Sequence, residues 1–164
     1  STQAKTLFPY TTLFRSVMNI EAYLQQSPLF EVSRLARRFE SQLAQLFGRG
    51  QLGFLEGLVL VSLLFEKPLS VSPSRLAETF STTRGNISHC VSSLEAKGLL
   101  GRKIDPKDAR AYQLILMPAG KKSAMQVVRT LDRLQAAFEK GIGVAELKAA
   151  LQVIRQVEQI CTEK

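Results

Sequence analysis

The chain of 164 residues has no tryptophan, one histidine and two cysteines, and only 7% of it is aromatic. Two cysteines cannot make a disulfide framework, so the sequence reads as that of a cytoplasmic protein. The only His–Cys neighbours are His89 and Cys90, which offers no zinc-ligand spacing, and no metal site is expected. Long apolar runs are also missing. The most apolar stretch, Leu52 to Phe65, is interrupted by Glu56 and falls short of the ~20 residues that span a bilayer. No glycine-rich phosphate loop sits between a strand and a helix, and no nucleophile, histidine and acid stand close together. The expectation is therefore a protein that is not an enzyme and uses no cofactor. Tandem repeats and low-complexity tracts are absent too.

What is present is a core-forming chain with a basic excess. Hydrophobic residues make up 45% of it, too many for a disordered segment. Lys and Arg number 22 against 14 Asp and Glu, a formal charge of +8. Its candidate partners are nucleic acid, an anionic membrane surface or an acidic protein. The first sixteen residues, STQAKTLFPYTTLFRS, fit neither a helical nor a strand period and lack the apolar core of a signal peptide. They resemble a translated sequencing adapter, so residues 1–17 are expected to be a leader foreign to the domain, with Met18 as its start. Without Lys5 and Arg15 the charge is still +6.

From Met18 onward the periodicity is mainly helical. Ser27-Pro28 supplies an N-cap and N1 pair, and Leu29, Val32, Leu35, Ala36, Phe39, Leu43, Leu46 and Phe47 follow at helical spacing. Gly48-Arg49-Gly50 ends that helix. The next, about 51–66, is apolar nearly all round and should be buried on several sides. Leu69-Ser70-Val71 is a candidate short strand. Ser72-Pro73 opens a helix to about Phe80, with Leu76, Ala77 and Phe80 inward. A turn at Ser81-Thr82 then leads to a helix over 84–97, capped by Thr83 and closed by Gly98. Two helices joined this closely form a helix-turn-helix.

After Gly98 the period drops to two. The segments 99–104 and 111–116 alternate as strands around the polar turn 105–110, a β-hairpin. Pro118 then starts a long helix to about Lys140, with Val127, Val128, Leu131, Leu134 and Phe138 on one face. Gly141-Ile142-Gly143 breaks it. A last helix, about 144–160, carries Leu147, Leu151, Ile154, Val157 and Ile160. The fold class is mainly α with a small β-hairpin wing: a winged helix-turn-helix flanked by N- and C-terminal helices.

On a wheel of 100° per residue, Ile87, Val91 and Leu94 share one stripe of the 84–97 helix. Gly85, His89, Ser92 and Ala96 lie opposite, with Ser88 on the flank and Arg84 and Asn86 at the N-terminal end. This face is small, polar and free of acid until Glu95, which suits a helix that enters a major groove. Surface helices more often carry Glu and Lys, and Gly85 alone costs ~1 kcal/mol of helix propensity. Gly85 would also let a phosphate approach the helix N-terminus closely. Charge points the same way. Between Arg84 and Lys122 stand eight bases (Arg84, Lys97, Arg102, Lys103, Lys107, Arg110, Lys121, Lys122) against Glu95, Asp105 and Asp108, an excess of five. The basic residues cluster on a helix and a hairpin rather than along an amphipathic helix, which argues against a membrane surface. Cys90, about 60° from Ile87 on the wheel, reads as a small packed side chain, with a redox switch as the minor alternative. Cys161 near the C-terminus is a weaker candidate for an intermolecular disulfide.

Several segments, in order and at consistent spacing, resemble MarR-type winged-helix regulators: Ser74-Arg75-Leu76-Ala77-Glu78, Thr83-Arg84-Gly85-Asn86-Ile87-Ser88, Leu94-Glu95-Ala96-Lys97-Gly98-Leu99-Leu100, Asp105-Pro106-Lys107-Asp108-Ala109-Arg110-Ala111 and Pro118-Ala119-Gly120. The similarity is dense over roughly 52–122. It implies a homodimeric transcriptional regulator, a repressor in preference to an activator, bound to a pseudo-palindromic site on double-stranded DNA. On that resemblance residues 18–50 and 123–164 would be dimerisation helices, and 51–122 the DNA-binding domain. Arg84, Asn86, Ser88 and His89 would enter the major groove, Arg110 the minor groove, and Asp108 would orient the wing. A small aromatic effector is a further implied partner; Tyr23, Phe30 and Phe54 could lie near its pocket, yet each is better explained as core. Ligand-independent architectural binding and redox modulation remain the alternatives. The chain departs from the pattern at Phe80-Ser81, where glycine is common, in two residues added near Val71-Ser72, and at Met117-Pro118.

Overall fold

A computed structural model describes residues 20–25, 27–47, 51–66, 71–105 and 108–162, with the side chains of 23, 25, 28, 104, 105 and 108–111 left aside. Residues 1–19, including the expected leader, lie outside it. Two compact units are distinguished, residues 1–42 and 43–164.

The first unit holds α1 (Ile20–Gln25) and most of α2 (Pro28–Leu46). As the sequence predicts, Ser27 caps α2: its hydroxyl accepts from the Phe30 N–H at 3.3 Å. Pro28 opens the first turn, where its missing N–H costs nothing. The apolar stripe of α2 is not enclosed here. Leu29, Val32 and Leu35 are exposed, whereas Leu43 and Phe47, in the second unit, are buried.

The second unit contains α3 (Phe54–Phe65), α4 (Pro73–Thr79), α5 (Arg84–Ala96), β1 (Leu100–Asp105), β2 (Asp108–Leu116), α6 (Pro118–Ile142) and α7 (Val144–Thr162). α3 is the hub. It packs on α5, α6 and β2 and buries Glu56, Gly57, Val59, Leu60 and Leu63, in keeping with its all-round apolar surface. Ile87, Val91 and Leu94 of α5, Leu100 and Leu114 of the hairpin, and Ala124 and Val127 of α6 complete the core.

α4 and α5 end in the same hydrogen-bonding motif. After α5 the Gly98 N–H donates to the Glu95 carbonyl and the Leu99 N–H to the Leu94 carbonyl, with Gly98 left-handed at φ 67°. After α4 the Ser81 N–H donates to Glu78 and the Thr82 N–H to Ala77, and Ser81 is left-handed at φ 48°. Both are Schellman closures, which demand that conformation of the residue just past the helix. A glycine therefore fits the Ser81 position, and the departure noted in the sequence keeps the turn geometry at a local cost in strain.

Two expectations are corrected. The sheet has two strands, and Val71 belongs to neither; Leu69 and Ser70 lie outside the described residues. Val71 is instead buried beside the Ser72 cap of α4, so its apolar character serves packing rather than pairing. The hairpin also closes more tightly than 105–110. Pairing runs from Leu100↔Leu116 to Ile104↔Tyr112 and then jumps to Asp105↔Asp108, so β2 carries the extra residues 109–111 as a bulge. The apolar face of α6 is as expected: Gly120, Ala124 and Val127 are buried on it, and Leu131, Leu134 and Phe138 continue it, half-buried, toward the C-terminal end of the helix. Glycine stands at 120 because α6 passes the Leu99 carbonyl there too closely for a side chain.

Candidate nucleic-acid interface

α5 starts cleanly. The Thr83 hydroxyl accepts from the Asn86 N–H at 3.1 Å, and the Asn86 side-chain amide donates to the Thr82 hydroxyl at 3.0 Å. The cap satisfies one of the free donors at the helix start, and the amide bond steers Asn86 back over the turn. Ile87, Val91 and Leu94 are fully buried, which fixes the rotation of the helix. Arg84, Gly85, Asn86, Ser88, His89 and Ser92 are consequently all exposed on the outer side. The structure thus brings six of the sequence-predicted residues onto one continuous face.

The hairpin follows after the Gly98 turn. Strand parity sorts its side chains: Leu100 and Leu114 face inward and are buried, so Arg102 shares the inner face and Lys103 takes the outer one. Lys103 is exposed. Arg102 is turned toward α5, where its Nη2 lies 2.9 Å from the Glu95 carboxylate and 3.4 Å from the Ser92 hydroxyl. Its guanidinium also stacks over the Tyr112 ring, 4.8 Å from the centroid. Lys107 lies outside the described residues, as do the side chains of Asp108 and Arg110 at the wing tip.

The basic excess is thereby divided. Lys97 and Arg102 are paired internally, with Glu56 and Glu95. Among the described residues, Arg84, Lys103, Lys121 and Lys122 are exposed and have no carboxylate partner. A charge tally along the sequence could not separate the two groups.

Glu56, buried at the start of α3, is the site feature the sequence reading missed. Its carboxylate accepts the Gly53 N–H at 2.7 Å and both its oxygens lie 2.7 Å from Lys97 Nζ. Burial pushes its pKa up, but hydrogen bonds from Lys97, Ser93 and the Gly53 N–H, with the Lys97 charge, bring it below the ordinary carboxylate value. The sequence signal was an acid inside an otherwise apolar helix. Cys90, half-buried nearby, has its thiol pushed up by burial and by the Glu56 charge, against a smaller opposing effect of Lys97. Cys161 is exposed.

Of the aromatic residues near a hypothetical effector pocket, Phe54 stacks on Phe47 with ring centroids 6.3 Å apart. Phe30 lines a shallow surface depression on α2 with Arg34, Arg37, Arg38 and Ser41. The Tyr23 side chain lies outside the described residues. No helix among the described residues is long and apolar enough to cross a membrane.

No family model matches the chain, and no curated protein matches it in sequence. Solved structures do match in fold. The MepR–DNA complex of S. aureus superposes with a TM-score of 0.74 at 14% identity, covering 84% of this chain and 99% of that one. The PcaV transcriptional regulator of Streptomyces coelicolor, in complex with its natural ligand, gives 0.70 at 23% identity over 83% and 94% of the two chains. A MarR family transcription regulator gives 0.67 at 19% identity over 83% and 94%. The chain has the winged-helix fold of MarR-family transcriptional regulators.

Proposed function

We propose that this protein is a MarR-type transcriptional regulator that binds double-stranded DNA as a homodimer in the cytoplasm. The observation that carries the reading is the outer face of α5. Six small, polar or basic residues are exposed there without an acid among them, on a helix whose rotation is set by three fully buried side chains. Arg84, Asn86, Ser88 and His89 are suited to base edges and flanking phosphates, with Gly85 allowing close backbone approach. Lys103, Lys121 and Lys122 supply sequence-independent attraction to phosphate. Lys107 and Arg110 at the tip of the hairpin would reach the minor groove, with Asp108 orienting the wing.

Dimerisation is supported by α7, which buries none of its residues although Leu151, Ile154 and Ile160 are apolar and at least half exposed. The apolar face of α2 adds Leu29, Val32 and Leu35. A two-fold pair would set two recognition helices about one DNA turn apart, ~34 Å, on a pseudo-palindrome. Repression, relieved by a small effector, is the mode we infer; the ligand-bound PcaV neighbour supports the effector. Redox modulation through Cys90 is not favoured, because a thiol whose pKa is raised by burial forms little of the reactive thiolate.

The test is binding to the intergenic palindrome nearest the gene against random duplex, over a range of salt. Preference for the palindrome supports the regulator; equal affinity for both would replace it with an architectural role. Arg84→Ala should relax discrimination at one base pair by ~1–3 kcal/mol if Arg84 reads a base, and weaken all sequences alike if it holds phosphate.

A further inference from the structure

Arg102 is basic and lies between the recognition helix and the wing tip, yet its guanidinium is already engaged on three sides. It meets the Glu95 carboxylate at 2.9 Å and the Ser92 hydroxyl at 3.4 Å, both on the last two turns of α5. On its remaining face it covers the Tyr112 ring from the neighbouring strand, diagonal to its own position in the register. The side chains of Arg102 and Glu95 are 37% and 30% exposed, so the pair is neither free in solvent nor sealed in the core. A planar guanidinium that donates to a carboxylate at one nitrogen and lies face-on to an aromatic ring holds one orientation, which a flexible ammonium does not.

We infer that Arg102 is a positioning residue that fixes the angle between the wing and α5, and that it does not serve as a phosphate ligand. Only the Gly98 turn joins these two elements in the chain, and Gly98 has nothing within 4 Å of where a side chain would begin. Near the base of the hairpin Leu100 and Leu114 are buried, with β1 packed on α5 and β2 on α3. Arg102 is the next inward residue along β1, so it clamps the hairpin one step further out. Ser92 is drawn into the same junction and is withdrawn from base reading. The inference rests on the proposed DNA-binding function, since wing angle matters only if wing and helix must reach one duplex together.

Glu95 separates the two roles of Arg102. Removing an acid near DNA strengthens binding if charge alone counts, whereas removing the clamp's anchor weakens it. The probe is the duplex that the wild-type protein enriches from a randomised pool, titrated at several salt concentrations. Glu95→Ala, Arg102→Gln and Arg102→Lys are each expected to weaken binding by about three- to tenfold, and Glu95→Ala/Arg102→Gln to be no weaker than either single change. The salt slope should stay at the wild-type value in Arg102→Gln. Hydrogen exchange of the DNA-free protein gives an independent reading: amides of 100–105 and 112–116 should exchange faster in all three single variants, while those of α3 keep wild-type rates. The inference is overturned if Arg102→Lys binds as wild type, if Glu95→Ala binds more tightly, or if Arg102→Gln lowers the salt slope by about one with hairpin exchange unchanged. If the wild type enriches no sequence, the regulator reading fails, and the exchange rates alone decide whether the clamp exists.

Discussion

Lys97 Nζ lies 2.7 Å from both carboxylate oxygens of Glu56, joining the C-cap of α5 to the first turn of α3. The Glu56 side chain is almost wholly buried and that of Lys97 is partly exposed. The carboxylate also receives the Gly53 N–H, one of the donors left open at the start of α3. Gly53 has no side chain to cap the helix itself, so Glu56 supplies the returning half of a capping box.

This arrangement makes stability depend on acid. The Glu56 pKa is lower in the folded protein than its ordinary 4.5, so the folded state favours the carboxylate. Its contribution is complete above the ordinary value and is lost as pH falls through the folded one. Glu56→Gln should cost about 1–2 kcal/mol at neutral pH, discounted for the exposure of Lys97, and should flatten the acid limb of the stability curve. Lys97→Met should cost more than Glu56→Gln, because it leaves the buried carboxylate without its cation. Urea unfolding at pH 7 and pH 4 checks both.

Ser81 adopts the left-handed conformation that Gly98 adopts in the equivalent closure. Its side chain is exposed, so little packing is lost on removing it. Ser81→Gly should stabilise the protein by about 0.5–1 kcal/mol through relief of backbone strain. A thermal melt that falls instead would show that the hydroxyl holds the turn.

Three helical glycines should respond to alanine in opposite directions. At Gly57 a methyl would come within 2.6 Å of the buried Phe47 ring, and at Gly120 it would overlap the Leu99 carbonyl oxygen. Gly57→Ala should cost about 1–3 kcal/mol by overpacking, and Gly120→Ala should be the worse of the two, since backbone yields less than a ring. At Gly85 a methyl meets only the Thr83 hydroxyl, at 3.7 Å. Gly85→Ala should therefore raise stability by up to about 1 kcal/mol, yet weaken DNA binding. Stability and affinity measured on the same variant would reveal that opposition; a gain in both would remove Gly85 from the interface.

The uncovered apolar face of α7 has a direct consequence for assembly. Leu151→Glu and Ile154→Glu each place a charge on a face that is already exposed in one chain. A single chain should tolerate them with changes within about 0.5 kcal/mol, but a dimer built on this face should dissociate. Sedimentation velocity at micromolar concentration distinguishes the outcomes, and a dimer that survives both substitutions would locate the interface elsewhere.

Helix starts at Ser27, Ser72 and Thr83, the left-handed closure at Gly98 and the alternation of the hairpin were legible in the sequence. So was the buried stripe of α5, and with it the exposed face proposed for DNA. Each of these is set by side chains acting on backbone within four or five residues, so neighbours in sequence carry the information. The apolar face of α6 was legible too, but helical periodicity does not say how far along a helix its partner reaches, and burial stops near Thr130. What covers the apolar faces of α2 and α7 was not legible for the same reason.

By itself, then, the sequence determined a winged helix-turn-helix with a basic helix-and-hairpin unit and a polar outer face on its second helix. Only the tertiary structure decided which of those charges remain available. Lys97 is spoken for by Glu56, 41 residues away, and Arg102 by Glu95 and Tyr112 across a turn and a strand. Ion pairing depends on distances of a few ångströms between groups remote in the chain, and no local pattern encodes those.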